Sequence, residues 1–181
     1  IRLTAKESNA SSQWRLHMTI ETNSEEMECV VSLDQKIAEL GNGFGGGRWP
    51  CEGPLWYKKE GHLLFSDIEN NKRMKWSPSS GVSLDFEPSN QANGLTRDLQ
   101  GRLIACEHKT RRIVRYEPEG PVTVIANNYK GTRLNRPNDT IVKSDGSIYF
   151  TDPGAPDPEL DLDFSGVYRV SEDLGTLTLF L

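Results

Sequence analysis

From Glu52 onward the chain is a succession of short apolar runs, each bounded by turn residues. In the middle of the chain these runs are Gly94–Arg97, Arg102–Cys106, Arg111–Tyr116 and Val122–Ala126. Val, Ile, Tyr and Phe dominate them, as pleated, half-buried surfaces prefer. The breaks between them include Asp98-Leu99-Gln100-Gly101 and Glu117-Pro118-Glu119-Gly120. Both carry the Asp, Pro and Gly chemistry of tight hairpins. Four antiparallel strands joined by short turns are expected here. Nearer the start, Trp14, Leu16, Met18 and Ile20 alternate with polar residues and predict one further short strand.

The four-run unit occurs three times. Its openings are Glu52-Gly53-Pro54-Leu55-Trp56, Asn93-Gly94-Leu95-Thr96 and Asn138-Asp139-Thr140-Ile141, at offsets of 41 and 45 residues. A second landmark keeps phase with the first: Gly61-His62-Leu63-Leu64-Phe65, Gly101-Arg102-Leu103-Ile104-Ala105 and Gly146-Ser147-Ile148-Tyr149-Phe150, with the glycines 40 and 45 apart. Four strands repeating at about 40 residues are the signature of a propeller blade. A sandwich uses similar strands without repeating in register. The expected fold is therefore all-β, with blades starting near 52, 93 and 138. Residues 1–28 form a polar N-terminal segment, and residues 29–181 form a partial propeller whose residues 29–40 are candidates for the outer strand of an absent last blade. Three blades do not close a ring, so the chain reads as a truncated propeller, or as one that completes itself by self-association.

In a propeller the first strand of each blade lines the central channel. Glu52, Asn93 and Asn138 then occupy equivalent places near one mouth. A carboxylate and two amide carbonyls are hard oxygen donors, suited to Ca²⁺ or Mg²⁺, with Mn²⁺ or Zn²⁺ as further candidates. The competing reading is that the asparagines cap turns through their side chains.

The motifs make a resemblance specific. Cys51-Glu52-Gly53-Pro54-Leu55-Trp56 resembles the EGPxW motif of the SMP-30/gluconolactonase/LRE-like family, which includes regucalcin. Asn93-Gly94-Leu95 with Asp98-Leu99-Gln100-Gly101-Arg102-Leu103 resembles its second-blade motif. Asn135-Arg136-Pro137-Asn138-Asp139, with Ser144 to Pro153, resembles its third. The order is right, and the match runs from about residue 30 to 180. The resemblance implies the N-terminal half of a six-bladed β-propeller that hydrolyses a sugar lactone with one divalent metal, Ca²⁺ first in preference. It makes Glu52 a metal ligand. Asn138 sits beside the metal and meets substrate or metal-bound water, and Arg136 contacts sugar hydroxyls. The family's remaining ligands are an Asn and an Asp of later blades. That Asp is also the general base and maps beyond Leu181, so the resemblance leaves the activity of this chain incomplete. Asp157 and Glu159 lie near the place of a further substrate-binding acid. The alternatives are a non-enzymatic propeller scaffold and a related calcium-dependent esterase.

Composition narrows the partners. The chain has 181 residues and a formal net charge of -5, which gives no basic face for nucleic acid. No apolar run approaches the ~20 residues of a membrane span. Cys29, Cys51 and Cys106 lack CxxC spacing and read as buried thiols. There is no G-x-S-x-G elbow. His62 and His108 read as surface or strand-end residues. Gly41 to Gly47 reads as a flexible loop, and the acidic stretch from Asp152 to Asp163 as solvated. The compartment stays open.

Overall fold

The computed structural model describes residues 2–6, 17–21, 24–32, 34–47, 49–154 and 159–181. They fall into two units, residues 1–40 and 41–181. In the first, β1 (Arg2–Lys6) pairs antiparallel with β2 (His17–Glu21), and a 3-10 turn follows at Glu25–Cys29. Met18 and Ile20 lie in the expected strand; Trp14 and Leu16 lie outside the described residues. Residues 35–40 lie in irregular backbone.

The second unit contains three four-stranded antiparallel meanders. Blade one is β3 (Cys51–Tyr57), β4 (His62–Asp67), β5 (Lys72–Ser77) and β6 (Gly81–Phe86). Blade two is β7 (Ala92–Arg97), β8 (Leu103–Glu107), β9 (Arg112–Arg115) and β10 (Thr123–Ala126). A small hairpin, β11 (Asn128–Tyr129) with β12 (Thr132–Arg133), leads to blade three. That blade is β13 (Thr140–Val142), β14 (Ile148–Asp152), β15 (Gly166–Val170) and β16 (Leu177–Leu179). These are three blades of a β-propeller, and their first strands begin at Cys51, Ala92 and Thr140. The expected strand bounds of blade two are met to within two residues.

Strand alternation builds the core between the blades. In β14 and β15 every second residue is buried, which turns Phe150, Tyr168 and Val170 inward. They join Ile104, Cys106, Ile113 and Leu134 in one apolar cluster spanning blades two and three. Leu64, Leu95, Leu103 and Val114 form a second cluster spanning blades one and two. Each fully buried side chain of this size contributes roughly 1.5–3 kcal/mol by leaving water. Blades one and two are also clamped by Arg73, 8% exposed. Its guanidinium bonds Asp85 at 2.6 Å within blade one and lies over the rings of Phe86 (5.0 Å) and Tyr116 (4.7 Å), which pack edge-on to each other at 5.6 Å.

Two further readings change. The glycine loop at 41–47 is tied to blade one: Gly45 is buried, its N–H donates to Asp67 at 3.0 Å, and Phe44 packs edge-on against Phe65 at 5.5 Å. Its neighbour Trp49 donates its N–H to Glu69. Of the three thiols only Cys106 is buried; Cys29 and Cys51 are exposed, and all three are free. Cys29 lies in a short polar turn and Cys51 starts an inner strand, so neither has an apolar face to join.

Candidate functional site

The opening of blade two is fastened to blade one and to blade three through main-chain oxygens. The Ser66 hydroxyl donates to the main-chain oxygen of Asn93 at 2.7 Å, linking blade one to blade two. The Gly94 N–H donates to the main-chain oxygen of Asn138 at 2.8 Å, linking blade two to blade three. So close an approach excludes side chains. A Cβ on Gly53, whose φ is +59°, would lie 2.1 Å from the Asn93 oxygen, and one on Gly94 would lie 2.7 Å from the Asn138 oxygen. Gly53, after Glu52, and Gly94, after Asn93, are thus contact points between blades. The register of β3 against β4 shifts between Glu52 and Leu55, and that of β7 against β8 between Ala92 and Leu95. Such bulges re-aim side chains at the edges of sheets, here at the two motif positions.

The outcome is a cavity of about 330 Å³ bordered by Glu52, Asn93, Leu95, Asn138, Asp139 and Thr140, with Gly53, Pro54, Thr96 and Ile141. Glu52 is exposed, Asn138 half-buried and Asn93 buried. Three residues nominated from sequence therefore share one cavity. Its polar lining is two carboxylates, two amides and two threonine hydroxyls, and the carboxylates and amide carbonyls are hard oxygen donors that fit a divalent cation. Among the described residues no cluster of three or more His, Cys, Asp or Glu occurs.

Arg136 is not among the lining residues. Its side chain is 38% exposed and pairs with Glu159 at 3.7 Å, whose own side chain is 82% exposed. A pair so wet is weak. Asp157 lies outside the described residues. A larger cavity, about 700 Å³, is bordered by Lys109, Thr110, Arg112, Asn127, Asn128 and Arg133. No blade-opening residue reaches it.

Two residues escaped the sequence reading. Asp139 borders the cavity beside Asn138. It lies in irregular backbone just before β13, where the alternation that turns neighbours to opposite faces does not apply. His108 is the other. It follows the last residue of β8, as expected, but it is buried, 9% exposed. Its Nε2 lies 3.3 Å from the amide nitrogen of Asn93. Trp49 packs edge-on to its ring at 6.0 Å. Burial, with the Arg136 cation second, pulls its pKa down to about 4, so the ring is neutral at neutral pH. The pairing of β7 with β8 was the signal for this contact: Ala92 faces Glu107, which brings Asn93 and His108 to the same end of the hairpin.

Blade three holds a second perturbed group. Asp152 is fully buried, and burial raises its pKa to about 6 although the Asn135 N–H donates to it at 2.7 Å. The acidic stretch is therefore only partly solvated: Asp152 is interior, and Asp161 pairs with Arg111 at 2.9 Å.

Three meander blades whose openings border one oxygen-lined cavity define part of a β-propeller. Residues 50–181 match the family model of the SMP-30/gluconolactonase/LRE-like region, and the chain belongs to that family. A gluconolactonase of Zymomonas mobilis is 35% identical over 170 residues, covering 83% of this chain and 47% of the relative. The solved gluconolactonase of Xanthomonas campestris is 34% identical with a TM-score of 0.65, covering 72% of this chain and 47% of that one. An X-ray structure of a protein assigned as a gluconolactonase is 35% identical with a TM-score of 0.68, covering 78% and 50%. The chain thus spans about half the length of these relatives. Among the described residues no helix is long and apolar enough to cross a membrane.

Proposed function

We propose that the protein belongs to a sugar-lactone hydrolase that works with one divalent cation, Ca²⁺ by preference. The observation that carries this reading is the convergence of Glu52, Asn93, Asn138 and Asp139 on a single cavity, together with 35% identity to a gluconolactonase over most of the chain. Glu52 and Asn138 hold the cation. A cation bound there supplies charge stabilisation for the oxyanion of ester hydrolysis and acidifies a bound water.

The chain's own residues bind and orient. Asn138 directs its amide at substrate or water in the cavity. Arg136, two residues earlier on a segment anchored at Asn135 by Asp152, releases its exposed partner Glu159 and offers paired N–H donors to sugar hydroxyls. Gly53 and Gly94 keep the openings in contact, so the donors stay fixed before any ligand arrives, which is the preorganisation that rate enhancement needs. The resemblance assigns the proton acceptor to a later blade.

The test is calorimetric Ca²⁺ titration of this chain beside its Glu52→Gln variant, followed by metal-dependent hydrolysis of gluconolactone with the spontaneous rate subtracted. A loss of Ca²⁺ affinity of about tenfold or more in the variant supports the reading. Equal binding by both, or none by either, returns the chain to the scaffold alternative.

A further inference from the structure

Asn93 is 4% exposed and is held at both ends. Its main-chain oxygen accepts from Ser66, and its side-chain nitrogen meets Nε2 of His108 at 3.3 Å. An amide nitrogen only donates, so the ring nitrogen facing it is the acceptor and the ring hydrogen sits on Nδ1. His108 is itself fixed. Its main-chain N–H donates to Gln91 at 3.2 Å, and Trp49 lies edge-on to the ring. With Nδ2 engaged, the carbonyl oxygen is the end of the Asn93 side chain left for the cavity that Asn93 borders.

We propose that His108 is a positioning residue of the cavity: by accepting from the Asn93 amide nitrogen it makes Asn93 present a carbonyl oxygen, and not an NH₂ group, beside Glu52 and Asp139. The proposal rests on the reading of this cavity as a cation and lactone site. Its physical content is a choice of sign. An outward carbonyl adds a third acceptor to two carboxylates and suits a cation or a hydroxyl donor. An outward NH₂ would set a partial positive charge beside the cation. Nothing in the Asn93 side chain alone decides between these orientations, because the two ends of an amide are nearly the same size. His108 selects the outward carbonyl when its Nε2 carries no hydrogen, and does so from a place that does not border the cavity.

Two measurements on the intact chain test this. The first is long-range ¹H–¹⁵N NMR of the histidines at neutral pH, without metal. The expected signature for His108 is the neutral Nδ1–H tautomer; an Nε2–H tautomer overturns the proposal. The second is Ca²⁺ titration of His108→Gln and His108→Leu, with folding verified by circular dichroism. Gln accepts from Asn93 through its amide oxygen and is expected within about threefold of the parent. Leu cannot accept and is expected to lose about tenfold or more, as outer-shell changes do. Leu binding as well as the parent overturns the proposal, and so does Gln falling as far as Leu, since that is the mark of packing alone. If the parent chain binds no Ca²⁺, the cation reading fails, and the tautomer decides the orientation of Asn93 by itself.

Discussion

The main-chain oxygen of Asn93 lies where a β-carbon on Gly53 would have to go, 2.1 Å from that position. This contact joins blades one and two at the blade openings themselves, and it is made by backbone, which cannot step aside. Gly53→Ala therefore combines a left-handed φ with a backbone clash. The expected loss is about 3 kcal/mol. Gly61 has a similar φ of +67° and open space around it, so Gly61→Ala is expected to cost only about 1 kcal/mol. Urea unfolding of the two variants separates clash from conformation; equal losses would mean that the blade contact is loose.

Much of this was legible before any coordinates, for a definite reason. A propeller repeats its chemistry at equivalent points, so two landmarks in phase locate Glu52, Asn93 and Asn138 without knowledge of the ring. What could not be read depends on local geometry. Asp139 shares the cavity only because the chain is irregular ahead of β13. His108 reaches Asn93 only through the hairpin register, which the bulge at Ala92–Leu95 modifies. The exposure of Cys29 and Cys51 is not legible in composition, which reports what a residue prefers and not that Cys29 falls in a short polar turn or which face β3 offers Cys51.

The cysteines give a direct check on that correction. Burial, with Asp139 and Asp152 adding to it, pushes the Cys106 thiol well above its ordinary range. Native protein is expected to titrate two thiols with an aromatic disulfide reagent and the third only after denaturation. Slow labelling of Cys51 relative to Cys29 is also expected, since burial first, then Asp67 and Glu52, raise the Cys51 pKa. Three thiols reacting at one rate in native protein would contradict the packing of β8.

Arg73 tests how the blades hold together laterally. Its planar cation lies against one ring of blade one, Phe86, and one ring just after β9 of blade two, Tyr116, while bonding Asp85. Lysine keeps the charge but neither the fork nor the flat stacking face. Arg73→Lys is expected to lose about 1–2 kcal/mol, seen as a lower urea midpoint. Tyr116→Leu in the Arg73→Lys background should then cost less than Tyr116→Leu alone. Strict additivity of the two changes would show that the stacking contributes nothing.

His108 and Asp152 bias stability in opposite directions over nearly the same pH range. His108 has a folded pKa of about 4 against an ordinary 6.5. Between these values the unfolded chain binds more protons, so this contribution is fully present above pH 6.5 and is lost as pH falls through 4. Asp152 has a folded pKa of about 6 against 3.8. Between those values the folded chain binds more protons, so its contribution is fully present below pH 3.8 and is lost as pH rises through 6. Each is worth about 3 kcal/mol at one pK unit per 1.36 kcal/mol, and in the parent protein they largely cancel from pH 4 to 6. Removing either exposes the other. Relative to the parent, Asp152→Asn should gain stability as pH rises from 4 to 6, because the His108 term acts alone. His108→Gln should lose stability over the same interval. Urea unfolding at pH 4, 5, 6 and 7 for the three proteins reads both differences. Difference curves of the same sign, or flat ones, would show that burial does not perturb these two groups in the folded protein.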